Sequence, residues 1–425
     1  MLKKHSTPII WLLLVALAVA VALALWQFRE AKAAEITVRA GRERAYYSAL
    51  DSLTNLEADL SKALVASGPG QHALLLGRVS SLAGAASENL SALPAAYGAD
   101  ESGLKFLGQT ADYAQTLAAA AAEGRTLSET DVRQLSQLMQ KSGELRRHLE
   151  NGEGFAYDAP SEEQKLSGIE YPSLLYDGPF SDGVRQGAPR GLSGEEITSE
   201  QAVEAGRAFL GAARAQRASD MQGPIPCWGV SAETDGVTIT LQVTRQGGKI
   251  LWMAPETAGF ETKLGMEACV ARAREFLESH GFGEMEPSFT QQYDGLAVIS
   301  FAAVQDGVTL YPDLVKAQVR MDTGEVVGLE ANNYWMNHTE RENLAPQVDE
   351  QQALRAVSGR LTVTGSRLCV IPVDDGLDSG KTEKLCWEFA GEWNGSRYFV
   401  YIDAETGEEE KVLKVVAGNG GTLTI

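Results

Sequence analysis

Val348-Asp349-Glu350-Gln351-Gln352-Ala353-Leu354 and, further along, Glu405-Thr406-Gly407-Glu408 are the two ends of a unit that this chain carries three times. An apolar residue stands before a helix start at Ile197, Leu264 and Val348, and each is answered thirteen residues later by Leu210, Leu277 and Leu361. Turn glycines follow at Gly248, Gly324 and Gly407. A unit recurring at spacings of 67 and then 84 residues reads as a duplicated small α+β domain.

The pattern between those ends sets the internal order of the unit. Thr198 with Gln201, and Asp349 with Gln352, have the spacing of a capping box; Gly265 and Ala268 occupy these places in the second copy and lack it. Ile197, Leu264 and Val348 are placed to staple onto Ala202, Cys269 and Ala353, while Val203 with Leu210, Val270 with Leu277 and Leu354 with Leu361 continue a buried helical face. Alternating runs follow, expected as strands over 237–244 and 249–253 in the first copy. The second copy offers 296–304, 315–321 and 326–330, and the third 367–373, 384–390, 397–402 and 409–415. Asp322-Thr323-Gly324-Glu325 and Glu405-Thr406-Gly407-Glu408 read as hairpins with glycine at positive φ; Gln246-Gly247-Gly248-Lys249 is a looser version. Each unit is expected to be a helix laid on an antiparallel meander.

Upstream, Lys3, Lys4 and His5 precede an uncharged apolar run from Pro8 to about Trp26. About 18 such residues suffice to cross a bilayer as a helix. A cleaved secretory signal is the alternative, with Ala31-Lys32-Ala33 as a small-x-small site, but the run exceeds the usual signal core of about 7–15 residues. An uncleaved anchor over 1–30 is therefore expected, with the short N-terminus inside and the bulk outside. From 35 to 150, stripes through Leu50, Leu53, Leu56, Leu60 and Leu64, then Leu75, Val79, Leu82 and Leu90, then Leu104, Leu107 and Leu117, then Val132, Leu135, Leu145 and Leu149 predict four helices in an up-and-down bundle. Residues 151–196 lose periodicity and read as an extended linker. Its Tyr171, Leu174, Leu175, Tyr176 and Phe180 are apolar enough to dock across the repeats or to touch a partner. Repeat boundaries are expected at 197–260, 261–345 and 346–425.

Composition narrows the function classes. A net charge of −20 argues against nucleic acid, which needs a basic surface to displace counterions. Cys227, Cys269, Cys369 and Cys386 show no metal-ligand spacing and are expected as buried thiols, although Cys369 and Cys386 lie in neighbouring strand candidates that could bring them together. No H-E-x-x-H, nucleophile elbow or phosphate loop occurs: His338-Thr339-Glu340-Arg341-Glu342 has the wrong order, and Gly248-Lys249 and Gly380-Lys381 lie in turns. Catalytic residues, cofactor and metal are therefore expected to be absent. Paired carboxylates stay open as an alternative, since two acids suffice to cleave a glycosidic bond and 57 acidic residues are present. Trp228, Trp252, Trp335, Trp387 and Trp393 supply core or binding anchors. Core packing is the default for all five; if one is exposed, Trp335, beside Asn332, Asn333 and Tyr334, is the candidate.

A helix followed by strands closing on a D/E-T-G-E hairpin resembles the PepSY domain. Three such units behind an anchor and a helical region resemble the YpeB family of sporulation and germination proteins in spore-forming Firmicutes. Tyr176-Asp177-Gly178-Pro179-Phe180 and the run Val326 to Trp335 carry this likeness most specifically. The resemblance implies a non-enzymatic protein of the inner spore membrane, required for the assembly or stability of a cortex-lytic, peptidoglycan-cleaving enzyme at germination. PepSY domains more widely are associated with holding peptidases or wall enzymes in check, so an inhibitor of an extracytoplasmic peptidase is the alternative, and a wall-acting glycosidase a further one. Tyr176, Asp177, Phe180 and Trp335 are the candidate partner contacts.

Overall fold

A computed structural model describes residues 6–93, 101–151, 180, 188–220, 223–234, 236–256, 259–374, 381–418 and 421–424. The chain divides into two compact units, one of Met1–Leu64 with Ala73–Lys165, the other of Val65–His72 with Leu166–Ile425.

The first unit is helical: α1 Ser6–Val65, α2 Pro69–Ser91, α3 Glu101–Ala122 and α4 Glu129–Glu150. Leu53, Leu56, Leu60 and Leu64 are fully buried, as are Leu76, Val79, Leu107 and Leu135, so the leucine stripes form the core of this unit. Tyr46 donates its hydroxyl proton to the carbonyl of Leu149, and Arg146 pairs with Glu57, which sets α4 antiparallel to the second half of α1. Ser128 and Asp131 form a full capping box at the start of α4. The apolar run read as an anchor forms the backbone of the first part of α1, which continues unbroken into the bundle helix. The side chains of nearly all of that run lie outside the described residues; among the described residues no helix is long and apolar enough to cross a membrane.

The second unit contains the repeats, and the first two have more strands than alternation revealed. The first is α5 Ser199–Leu210 with β1 Arg214–Arg217, β2 Cys227–Thr234, β3 Val237–Thr244 and β4 Ile250–Pro255. The second is α6 Met266–Ser279 with β5 Met285–Tyr293, β6 Leu296–Gln305, β7 Val308–Arg320 and β8 Val326–Glu330, followed by a short helix α7 Asn332–Asn337. The third is α8 Glu350–Leu354 with β9 Thr362–Asp374, β10 Lys381–Trp393, β11 Ser396–Asp403 and β12 Glu409–Gly418; a last strand, β13, spans Gly421–Thr424. Every repeat is thus a helix on a four-stranded antiparallel meander. β1, β2 and β5 were not among the expected strands; Arg214–Arg217 is mostly exposed and Met285–Tyr293 only half-buried, so β1 and β5 do not alternate cleanly.

The threefold correspondence extends to single hydrogen bonds. The N–H groups of Ile197, Leu264 and Val348 donate to the carbonyls of Arg245, Met321 and Ala404, and the N–H groups of those three donate to Pro226, Gly295 and Leu385. Gly248, Gly324 and Gly407 all have positive φ (63°, 81° and 77°). A Cβ there would meet Ile197 at 3.2 Å, Leu264 at 3.1 Å and Val348 at 3.7 Å, so the turn of each unit is seated on the apolar residue that opens its helix. The first repeat departs from the D/E-T-G-E pattern at Gly247 for a local reason. Backbone of Ser193 passes so close that a Cβ on Gly247 would lie 2.2 Å from its carbonyl oxygen.

One feature corrects the expectations. The third helix ends at Leu354, short of Leu361, because Ser358-Gly359 follows a tight turn; Leu354 is exposed, while Leu361 is still buried against Gly391. The repeats also join one another through their strands. All strands join in one order, β1-β2-β3-β4-β8-β7-β6-β5-β13-β12-β11-β10-β9, and β7 also pairs with β9. The pairings Thr309 with Cys369, Leu310 with Val370, and Gly421 with Gln291 close the strands of the second and third repeats into a ring. One core runs through the first and second repeats, from Val230, Ile239 and Leu241 to Ile299, Phe301 and Val315. Another lies where the second and third meet.

Candidate functional site

That second core is built around a connector residue. Phe180 is 7% exposed and packs with Tyr311 and Leu314 of β7, Cys369 and Ile371 of β9, Cys386 of β10, Tyr401 of β11 and Leu413 of β12. Its ring lies 5.2 Å from the ring centroids of both Tyr311 and Tyr401, and Lys411 Nζ sits 4.9 Å from its centroid. The backbone at Phe180 has φ 64°, a left-handed conformation that non-glycine residues adopt at a cost and that the aromatic seat compensates.

The floor of the seat is polar. Tyr311 and Tyr401 both donate hydroxyl protons to Oε2 of Glu388, at 2.5 and 2.9 Å, and Arg367 Nε meets Oε1 at 3.0 Å. Glu388 and Arg367 are direct cross-strand partners of β10 and β9, so sheet register alone places the ion pair. Burial, and then the charge of Glu388, push both phenol groups well above the usual tyrosine range, which keeps them as donors. A carboxylate held by two phenols and a guanidinium is a satisfied anchor.

A second cluster secures the same joint. Asp313 of β7 is fully buried; Arg341 contacts both of its oxygens and His338 Nδ1 lies 2.8 Å from Oδ2, while Arg341 also reaches Glu383 of β10 at 2.9 Å. Desolvation acts against the charge on Arg341, but Asp313 and Glu383 outweigh it and hold the guanidinium above its ordinary value.

Of the expected partner contacts, Tyr176 and Asp177 lie outside the described residues. Phe180 is buried in the core described above. Trp335 is 8% exposed, so the core role holds for it and not that of an exposed anchor: α7 folds it onto Phe282 and Tyr334, and its indole N–H donates to the Ile250 carbonyl at 2.8 Å. Trp228 and Trp387 are equivalent to each other, donating to the Ile197 and Val348 carbonyls at 3.0 and 2.8 Å. Tyr311, Tyr401, Glu388 and Arg367 were not singled out from the sequence. The signal was present in β10, where Cys386 and Glu388 alternate onto one face, putting an acid at a core position. Among the described residues, no group of three or more His, Cys, Asp or Glu side chains is placed to hold a metal ion.

Residues 30–155 match the family model described as YpeB N-terminal, 163–344 the model for YpeB sporulation, PepSY1 and PepSY2 domains, and 347–413 the peptidase propeptide and YPEB domain. Curated relatives named sporulation protein YpeB are similar to this chain. That of Oceanobacillus iheyensis is 23% identical over 95% of this chain and 97% of its own. Those of Halalkalibacterium halodurans and Bacillus subtilis are 36% and 30% identical, over 41% and 42% of this chain and 38% and 39% of theirs. The chain is also similar to the solved Bacillus megaterium YpeB C-terminal domain, at a TM-score of 0.47 and 25% identity, over 53% of this chain and all of that one. Matched from its helical region through its last repeat, the chain belongs to the YpeB family of sporulation proteins and carries PepSY domains.

Proposed function

We propose that this protein is a non-enzymatic germination factor that holds and stabilises a cortex-lytic peptidoglycan hydrolase at the inner spore membrane. The apolar run from Pro8 to Trp26 crosses the membrane once and leaves the bulk of the chain on the cortex side. The observation that carries this reading is the family match along the chain, through helical region and repeats alike. The non-catalytic part of the reading is supported by the interior chemistry of the repeats. Glu388, Asp313 and Asp403 are buried acids, and each is engaged by hydroxyl, guanidinium, ammonium or backbone donors. Nucleic acid has no part in it, in line with the acidic charge.

Affinity capture of the full-length tagged chain from detergent-solubilised spore membranes tests the proposal. A peptidoglycan hydrolase is expected in the eluate, and its level in spores is expected to fall when the chain is deleted. Recovery of the chain alone, with normal hydrolase levels in the deletion, rejects the proposal. So does cleavage of purified cortex by the chain itself. A second reading, inhibition of an extracytoplasmic peptidase, is favoured by one observation: residues 347–413 match a model that also describes peptidase propeptides. Suppression of peptidase activity by the purified chain distinguishes it.

A further inference from the structure

Cys369 and Cys386 stand directly opposite each other on β9 and β10, in a run of pairs that proceeds without a slip from Lys381–Asp374 to Ala390–Gly365. Both side chains face the same core as Phe180, Tyr311 and Tyr401, and both are fully buried. Cys369 Sγ lies 3.5 Å from the Cys386 carbonyl oxygen. Directly opposed residues of an antiparallel pair have Cα atoms about 4.5 or about 5.5 Å apart, depending on the site in the ladder. Both values fall in the range of about 4.4–6.8 Å that a disulfide spans. The match is specific to this pair. Cys227 lies in β2 and Cys269 in α6, and neither is a register partner of a cysteine.

We propose that Cys369 and Cys386 form a cross-strand disulfide that pins β9 to β10 beneath the Phe180 seat. The oxidant is a small-molecule disulfide such as oxidised glutathione. One cysteine thiol gives up its proton, its thiolate sulfur attacks the small disulfide, and one small thiolate leaves. The second cysteine thiolate then attacks the mixed disulfide, forming the Cys369–Cys386 bond and releasing the second small thiolate. Two protein thiols are oxidised and one small disulfide is reduced to two thiols. Both thiols are fully buried, and burial raises both pKa values above the ordinary cysteine range, which disfavours thiolate in the folded chain. Occurrence in the spore rests on the cortex-side placement proposed above; the pairing itself does not.

The test uses the full-length chain, refolded with oxidised glutathione, then alkylated in denaturant and digested without reductant. Mass spectrometry is expected to find one cross-linked peptide pair joining Cys369 to Cys386, lighter by two hydrogens than the separate peptides, with Cys227 and Cys269 alkylated. The Cys227→Ser/Cys269→Ser chain is expected to give the same pair and to unfold at a lower temperature when reductant is added. Its Cys386→Ser derivative is expected to show no reductant effect. Alkylation of both Cys369 and Cys386 in refolded chain, or their pairing with Cys227 or Cys269, overturns the proposal. A full cross-link in vitro with free thiols in chain taken from spores leaves the pairing intact and counts against the placement.

Discussion

At the scale of the residue, a few buried groups hold the repeats in their arrangement. Phe180→Ala empties a seat lined by two tyrosines and is expected to destabilise the second unit by ~3 kcal/mol or more, read from the midpoint of denaturant unfolding. Glu409 makes a different prediction. Its carboxylate accepts from the N–H and hydroxyl of Ser67 and from the N–H of Gly68, yet burial outweighs these bonds and raises its pKa from 4.5 to about 7. The folded chain therefore binds this proton more tightly than the unfolded chain. Stability from this group is present below about pH 4.5 and is lost as pH rises to about 7, by ~3 kcal/mol at most. Thermal unfolding of wild type and Glu409→Gln across this window is expected to show the extra pH dependence in wild type alone; parallel curves refute the assignment.

At the scale of the element, capping and turn chemistry could be read in the sequence and tertiary length could not. Thr198 and Asp349 cap α5 and α8 with the reciprocal bonds their spacing implied, and α6 starts at Gly265 with no side-chain cap. Gly265 has φ −77°, and a Cβ there would meet nothing within 4 Å. Gly265→Ser is accordingly expected to stabilise by a few tenths of a kcal/mol, a small rise in melting temperature. Gly324→Ala has the opposite expectation: positive φ and a close approach to Leu264 cost about 1 kcal/mol or more, seen as a lower denaturation midpoint. The end of α8 was illegible because Val357 and Leu361 keep a helical spacing that the Ser358-Gly359 turn overrides. Both residues are buried anyway, so the apolar pattern is satisfied without a helix.

At the scale of the whole molecule, the contacts between repeats matter more than the repeats taken singly. Asp313 and Arg341 join β7 to the segment entering the third repeat, and Arg341 continues to Glu383. Asp313→Ala leaves a buried guanidinium without its main partner and is expected to cost about 3 kcal/mol. Because the second and third repeats share a core and a closed ring of strands, the loss is expected to lower one common unfolding transition of both, observed by hydrogen exchange in β7 and β10 together. Separate melting of the third repeat contradicts this.

The sequence by itself determined the threefold unit, its helix starts, its turn glycines and the leucine stripes of the helical region. These are local: periodicity, capping and positive φ act over a few residues, and each leaves its mark in composition. Only the tertiary structure decided that the meanders join in one sheet, that Trp335 turns inward, and that Phe180 closes a core over Glu388, Tyr311 and Tyr401. Those outcomes depend on which edges meet across long stretches of chain, and no spacing in the sequence encodes the pairing of Thr309 with Cys369.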